Sequence, residues 1–358
     1  MNLETIECFG ARGAREAGSV LVTGASGFLG GAVCRALAAE GWRVVATGRN
    51  EARLRGLAEA GVAAGFCAGD LAAGEFAGKL PVCDAVVHCA ALSSPWGRWR
   101  DFKVANVEAT ARVLAHARRC GARGFVHISS PTVFHRSCSQ VNVTERTPWP
   151  GRAVNLYAAS KRESERLVRE SGLRAVILRP RALFGPGDTV LLPRIIGAAR
   201  AGRLPVIGDG LALTDFTYID NAADSARLAV ARACSLRVGE SEDFNITNGE
   251  PVALWPTLRA LLARLGVPAP RRSVPLGVMR AVGRAAEFGA WFTGREPRIT
   301  RYGAEVLGYS QTFDISKARA VLGYQPRVGV EEGIGRFVAW WREQEAGGAG
   351  EAGGVQGR

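Results

Sequence analysis

Val20-Leu21-Val22-Thr23 is an apolar run that leads directly into Gly24-Ala25-Ser26-Gly27-Phe28-Leu29-Gly30 and then into an alanine-rich segment ending near Glu40. A short run that is apolar at nearly every position suits a strand covered on both faces, as in a parallel sheet. Glycines let the chain turn tightly and let a ligand approach the backbone. The helix beyond them offers unpaired N–H groups and the positive end of its dipole. Strand, glycine turn and helix in this order suit a dinucleotide pyrophosphate, which places Gly24, Ser26, Gly27, Phe28, Leu29 and Gly30 in a cofactor site. The spacing is G-x-x-G-x-x-G rather than G-x-G-x-x-G, so the turn alone also fits a purely structural role.

The second strand, Arg43-Val44-Val45-Ala46-Thr47, ends at Gly48-Arg49-Asn50. An NAD-selective site places an Asp or Glu here for the ribose 2′-OH. Arg49 offers instead a planar guanidinium, which suits a 2′-phosphate, so NADP(H) is expected over NAD(H). Its alternative is one more surface arginine in an arginine-rich chain.

Further strand-like runs fall at Gly65-Phe66-Cys67, Ala85-Val86-Val87-His88, Gly124-Phe125-Val126-His127-Ile128 and Ala175-Val176-Ile177-Leu178. Helical patterns separate them, among them Asp101 to Cys120 and Ala158 to Ser171. Such alternation predicts an α/β fold with a doubly wound parallel Rossmann sheet and a smaller, mostly helical substrate-binding part. Ligands lie at the carboxyl ends of such strands. Those ends carry Asp70 and Leu71, Ala90 and Ala91, Ser129 and Ser130, and Pro180. Tyr157 and Lys161 stand four apart on the helix that follows the fifth strand, so they share a face. An ammonium beside a phenol favours the phenolate, and Lys161 is thus expected to lower the pKa of Tyr157 into a range useful for proton transfer.

With these residues the chain resembles the extended short-chain dehydrogenase/reductase family from about Ser19 to Arg342. The likeness rests on the glycine segment from Thr23 to Gly30, Gly69-Asp70-Leu71, His88-Cys89-Ala90-Ala91, Ile128-Ser129-Ser130-Pro131-Thr132-Val133, Tyr157-x-x-x-Lys161 and Leu178-Arg179-Pro180 with Phe184-Gly185-Pro186-Gly187-Asp188. Asp215 to Asn221 and Phe244 to Pro251 match its second half. Ser94-Pro95-Trp96-Gly97, Leu191 to Arg194 and Tyr218 to Asn221 are most similar to the 3β-hydroxysteroid dehydrogenase branch, which includes bacterial 2-alkyl-3-oxoalkanoate reductases. The resemblance implies Ser130 as the hydroxyl bonded to the substrate oxygen, Tyr157 as proton donor, and Lys161 as the group that holds the nicotinamide ribose and tunes Tyr157. Ser129 is the competing serine. Asn106 is a candidate for a proton relay from Lys161, or a helix asparagine facing water. Trp96, Thr132, Phe184, Leu192 and Tyr218 are the implied substrate contacts. Phe134 stands where the family commonly has a tyrosine.

The implied activity is interconversion of a ketone and a secondary alcohol on a lipophilic, steroid-like or 2-alkyl-3-oxo acid substrate. A nucleotide-sugar epimerase or dehydratase and a non-catalytic NADP(H) sensor remain as alternatives. Scattered histidines, four in all, predict no metal site. The formal net charge of +13 is spread along the chain without a basic run, which argues against nucleic acid as partner. Eight cysteines without a C-x-x-C, and a start lacking a signal-like apolar stretch, point to a reduced, cytoplasmic protein. A homodimer is compatible with all of this.

The expected organisation is a leader over residues 1–17, a nucleotide-binding domain over 18–186, a substrate-binding part over 187–344 with segments around 213–247 returning to the first domain, and a Gly/Ala-rich disordered tail over 345–358. The apolar stretch from Val274 to Thr293 contains Arg280, Arg284 and Glu287, too much charge to span a bilayer comfortably. Its plain reading is a buried helix of the smaller domain, and the other is an amphipathic helix resting on a membrane or lining a lipophilic pocket.

Overall fold

The computed structural model describes residues 18–294 and 296–352; the expected leader and the last residues of the expected tail, 353–358, lie outside them. Seven strands form the central sheet: β1 (Ser19–Thr23), β2 (Arg43–Gly48), β3 (Gly65–Ala68), β4 (Ala85–His88), β5 (Gly124–Ile128), β6 (Ala175–Pro180) and β7 (Ser241–Ile246). They lie in the order β3-β2-β1-β4-β5-β6-β7, every pair parallel. The order reverses between β1 and β4, and that switch point opens a crevice at the carboxyl ends of the strands.

The α-helices of eight or more residues are α1 (Phe28–Ala39), α2 (Glu51–Glu59), α3 (Ala109–Arg119), α4 (Leu156–Arg169), α5 (Leu191–Arg200), α6 (Ile219–Ser235), α7 (Leu254–Arg264), α8 (Leu276–Thr293), α9 (Arg301–Gly308) and α10 (Val330–Ala352). Successive strand residues point to opposite faces, and here both faces are covered. Val20, Val22, Val87, Val126 and Leu178 pack with Val33 and Leu37 of α1 and Ala226 and Val230 of α6. Leu21, Val86, Phe125 and Ile177 pack on the other side with Val113 and Leu114 of α3 and Val168 of α4. The central strands β1, β4, β5 and β6 are mostly apolar because nearly every residue has a core to enter.

The chain after β6 leaves the sheet and comes back to it. α6 packs on β5 and β6, and β7 pairs with β6 at the sheet edge. A second, four-stranded sheet orders Val252–Ala253, Leu213–Thr214, Gln311–Phe313 and Gln140–Val143, so the smaller part is built from segments distant in sequence. Helix α10 continues through Ala352, which replaces the disordered tail expected from Glu345 onward by a helix up to that point. Arg200 anchors Glu345 at 2.6 Å.

Three expected substrate contacts fall in the core instead. Phe184 and Tyr218 are 1% and 2% exposed, and Leu192 is 2% exposed. The Phe184 ring meets those of Phe216 and Tyr218 edge-on at 5.5 and 5.6 Å, and apolar side chains from α5, α7 and α10 close over them. These three side chains thus fill a joint between chain segments.

Candidate active site

A groove of about 760 Å³ follows the switch point. Its walls include Gly24, Ser26, Gly27, Phe28, Leu29 and Gly30 from the β1–α1 turn, Arg49 after β2, Asp70 and Leu71 after β3, and Ala90 and Ala91 after β4. Leu92, Arg100 and Val104 also line it, and nothing in their local pattern marked them. Pro180, Tyr157 and Lys161 are not part of this lining.

The turn has the shape a pyrophosphate needs. Gly24 has φ +68°, and a Cβ there would stand 2.7 Å from the Ala90 nitrogen. A Cβ at Gly30 would lie 2.2 Å from the Gly24 carbonyl oxygen, so this glycine lets helix and strand close up. Gly27 is the N-cap of α1 and has no side chain to occupy the first helical N–H groups, which are left to a ligand. The residues present therefore fit a dinucleotide, which supplies or accepts a hydride when bound.

Asn155 caps α4 by accepting from the Ala158 N–H at 2.8 Å, and this fixes the helix start just before Tyr157. Tyr157 is half-buried, with the Ser93 and Ser130 side chains close enough to favour its phenolate. Ser130 also shares a hydrogen bond with the Thr132 hydroxyl at 2.6 Å, and Thr132 stands 3.5 Å from the Tyr302 hydroxyl. Ser130, Thr132 and Tyr302 thus form a chain of hydroxyls that begins beside Tyr157. Ser93 is exposed and follows the groove residue Leu92 in the chain. Half-buried Trp96 stands in the same loop, its carbonyl accepting from Ser94 at 2.6 Å. Ser129 is turned away and donates to Glu165 at 2.6 Å, which leaves Ser130 as the serine beside Tyr157.

The electrostatics differ from the simple pairing of Tyr157 with Lys161. Burial raises the Tyr157 pKa above its ordinary value, opposed by the Ser93 and Ser130 side chains. Lys161 is 3% exposed and donates to the Ile128 carbonyl at 2.8 Å, and burial lowers its pKa to about 8. The tyrosine is a neutral phenol at neutral pH, suited to donating a proton to an oxygen that becomes negative. The lysine, not the tyrosine, carries the pKa nearest neutrality. Lys161 is cationic below about pH 8 and neutral above. The kcat/KM for the cofactor reports the free enzyme, and it is expected to fall as pH rises through that value. In Lys161→Arg, whose cation persists, a pH–rate profile should lack this limb.

Asn106 does not face water. It is 1% exposed within a π-helical segment, Lys103–Glu108, and its amide pairs with both backbone groups of Leu92 and with Ser160 at 2.7 to 3.1 Å. The extra residue of the π turn tips Asn106 inward to clamp the loop that carries Ser93. Phe134, in the family's tyrosine position, is 1% exposed beneath the Arg179 guanidinium, 4.8 Å from its ring centroid, and forms core rather than pocket.

Glu165, one turn beyond Lys161, anchors α4 from below. Its carboxylate accepts from Arg179 at 2.9 and 2.7 Å and from Arg169 at 2.8 Å, with Asp243 bridging both arginines. Burial raises the Glu165 pKa, but Arg179 and Arg169 hold the carboxyl below its ordinary range.

His88 lies between the Thr23 and Thr110 hydroxyls, and His135 between Glu305 and Gln311, so both are committed to hydrogen bonds. Among the described residues one grouping has metal-ligand chemistry: Cys83, His116 and Cys120, at the opposite edge of the sheet. There the His116 ring meets the Pro81 carbonyl at 3.1 Å and the Cys120 sulfur at 3.2 Å, a set already satisfied by its own members.

A doubly wound sheet, a glycine turn at its switch point and a phenol ringed by hydroxyls define a dinucleotide-dependent oxidoreductase. Residues 20–247 match the NAD dependent epimerase/dehydratase family, and the chain belongs to it. The chain is 35% identical over 332 residues to a 2-alkyl-3-oxoalkanoate reductase of Stenotrophomonas maltophilia, covering 89% of this chain and 98% of the relative. It is 34% identical over 261 residues to a decarboxylating sterol-4-alpha-carboxylate 3-dehydrogenase of Schizosaccharomyces pombe, covering 71% and 76% of the two chains. The crystal structure of a UDP-glucuronic acid 4-epimerase from Bacillus cereus in complex with NAD superposes with a TM-score of 0.68 over 91% of this chain and 99% of that one, at 22% identity, a likeness of fold. The protein is an NAD(P)-dependent oxidoreductase of the extended short-chain dehydrogenase/reductase type.

Proposed function

We propose that the enzyme interconverts a ketone and a secondary alcohol on a lipophilic substrate of the 2-alkyl-3-oxo acid or steroid kind, with NADP(H) as cofactor. The observation that carries the reading is Tyr157 beside the Ser130 and Ser93 side chains, Ser93 being next in sequence to the groove residue Leu92. A carbonyl oxygen among these groups finds a proton donor and two more hydroxyls as charge develops on it. The near full-length likeness to a named ketone reductase supports the substrate class over a nucleotide sugar. A sensor has no use for a proton donor placed in this way.

For the cofactor, Arg49 is exposed and lines the groove, and its neighbour Arg53 donates to the Ser26 carbonyl at 3.2 Å. Two guanidiniums stand by the end of β2 where an acidic residue would select NAD. Wild-type kcat/KM should favour NADPH over NADH, and Arg49→Asp should remove at least about tenfold of that preference, the scale of one charge-assisted hydrogen bond. Equal kcat/KM for the two cofactors in the wild type would overturn the choice.

A further inference from the structure

The apolar stretch of the second half is not the buried helix that its composition suggested. Only Met279, Gly283 and Ala290 of α8 are buried. Gly283 rests so closely on the next segment that a Cβ would come within 2.5 Å of the Arg301 nitrogen. The opposite face carries Val278 at 52% exposure, Val282 at 46%, Phe288 at 69%, Trp291 at 72% and Phe292 at 78%. Phe288, Trp291 and Phe292 recur at helical spacing and form one aromatic stripe flanked by Val278 and Val282, and the Phe288 and Phe292 rings meet at 5.2 Å. A contiguous exposed face of large apolar side chains marks a binding surface.

The charges around it select the occupant. Arg271, Arg272, Arg284 and Arg298 are exposed near or on α8 and make no ion pair among the described residues. The acids nearby are engaged: Glu287 accepts from the Arg301 N–H at 2.8 Å, and Glu296 pairs with Arg194 at 3.1 Å. A second copy docked by a two-fold axis would set these arginines against themselves. An anionic lipid surface takes both the aromatic stripe and the cations.

We propose that the outer face of α8 seats the enzyme on an anionic bilayer, lying in the headgroup boundary. No described helix is long and apolar enough to cross a membrane, which fits a helix lying on the surface. The inner face of α8 packs on α9, which carries Tyr302 to the hydroxyls around Tyr157. One helix thus separates the lipid-facing stripe from the reacting groups. A lipophilic substrate would have a short path to them, a consequence that rests on the reductase reading above, whereas the seating itself does not.

The test is co-sedimentation of the full chain with sucrose-loaded vesicles of phosphatidylcholine alone or with phosphatidylglycerol at one part in three. Binding should be at least tenfold stronger to the phosphatidylglycerol vesicles and fall with added salt. The triple variant Phe288→Ser, Trp291→Ser, Phe292→Ser should lose at least tenfold of it while binding NADPH as the wild type does, since these exposed side chains support no core. Absence of sedimentation with anionic vesicles would overturn the proposal, as would unchanged binding by the triple variant. Self-association of the wild type that the triple variant abolishes would assign the face to a second copy and equally overturn it. Vesicle binding requires no turnover, so a protein that binds lipid but reduces no ketone would refute only the reductase reading.

Discussion

Tyr157→Phe is expected to lower kcat by about two orders of magnitude or more, the scale on which a positioned general acid contributes. The ring and its packing beside Phe102, 6.3 Å away between centroids, are retained, so the change removes only the hydroxyl. Cofactor affinity should stay close to the wild-type value, because Tyr157 is not among the walls of the groove. A fall in kcat and kcat/KM together, with an unchanged cofactor Kd, is the signature of an interaction made in the transition state. Single-turnover kinetics beside a fluorescence titration of NADPH would check both halves. Near-normal kcat would remove Tyr157 from the chemistry.

The largest effect on stability is expected at Glu165. It is fully buried beside Arg179, itself 1% exposed, and Glu165→Ala leaves that guanidinium without its main counter-charge. Breaking a buried pair from one side costs about 3–5 kcal/mol. Asp243 remains bonded to Arg179 at 2.6 Å, which favours the lower end. Glu163→Ala, two residues away on the exposed side of the same helix, should leave the unfolding midpoint nearly unchanged because solvent screens its pair with Arg166. Chemical denaturation of the two variants side by side measures the contrast. Since the Glu165 pKa is held below that of the unfolded chain, its stabilisation is present above the ordinary carboxylate pKa and is lost as pH falls through the depressed value. Loss of Lys161 positioning should accompany the stability loss, because both residues stand on α4.

The sheet was legible because its signals are local. Val20 to Val22 is apolar throughout since both faces of β1 are covered, and Gly30 after it is required by backbone contacts within the same turn. Tyr157 and Lys161 could be paired from their spacing alone, but their electrostatics could not. Burial dominates there, opposed at Lys161 chiefly by the Glu165 carboxylate. Ser93 and Tyr302 were missed for a related reason. Tyr302 reaches Thr132 across 170 residues, and no periodicity announces such a meeting. Phe184 and Tyr218 look like pocket aromatics in sequence, yet strands Leu183–Phe184 and Thr217–Tyr218 pair with each other and turn both rings into the core. Helix α8 misled in the opposite direction: its apolar content was read as burial, while its neighbours cover only one face.

The most direct measurement of the central claim follows deuterium from the cofactor. The protein is incubated with 4-deuterated NADPH and a 2-alkyl-3-oxo acid, and the product is examined by mass spectrometry. The account predicts one deuterium on the new carbinol carbon, with one NADP⁺ formed per alcohol. A protein that transfers no deuterium to ketones, and instead inverts a sugar nucleotide with no net oxidation of its cofactor, would contradict it.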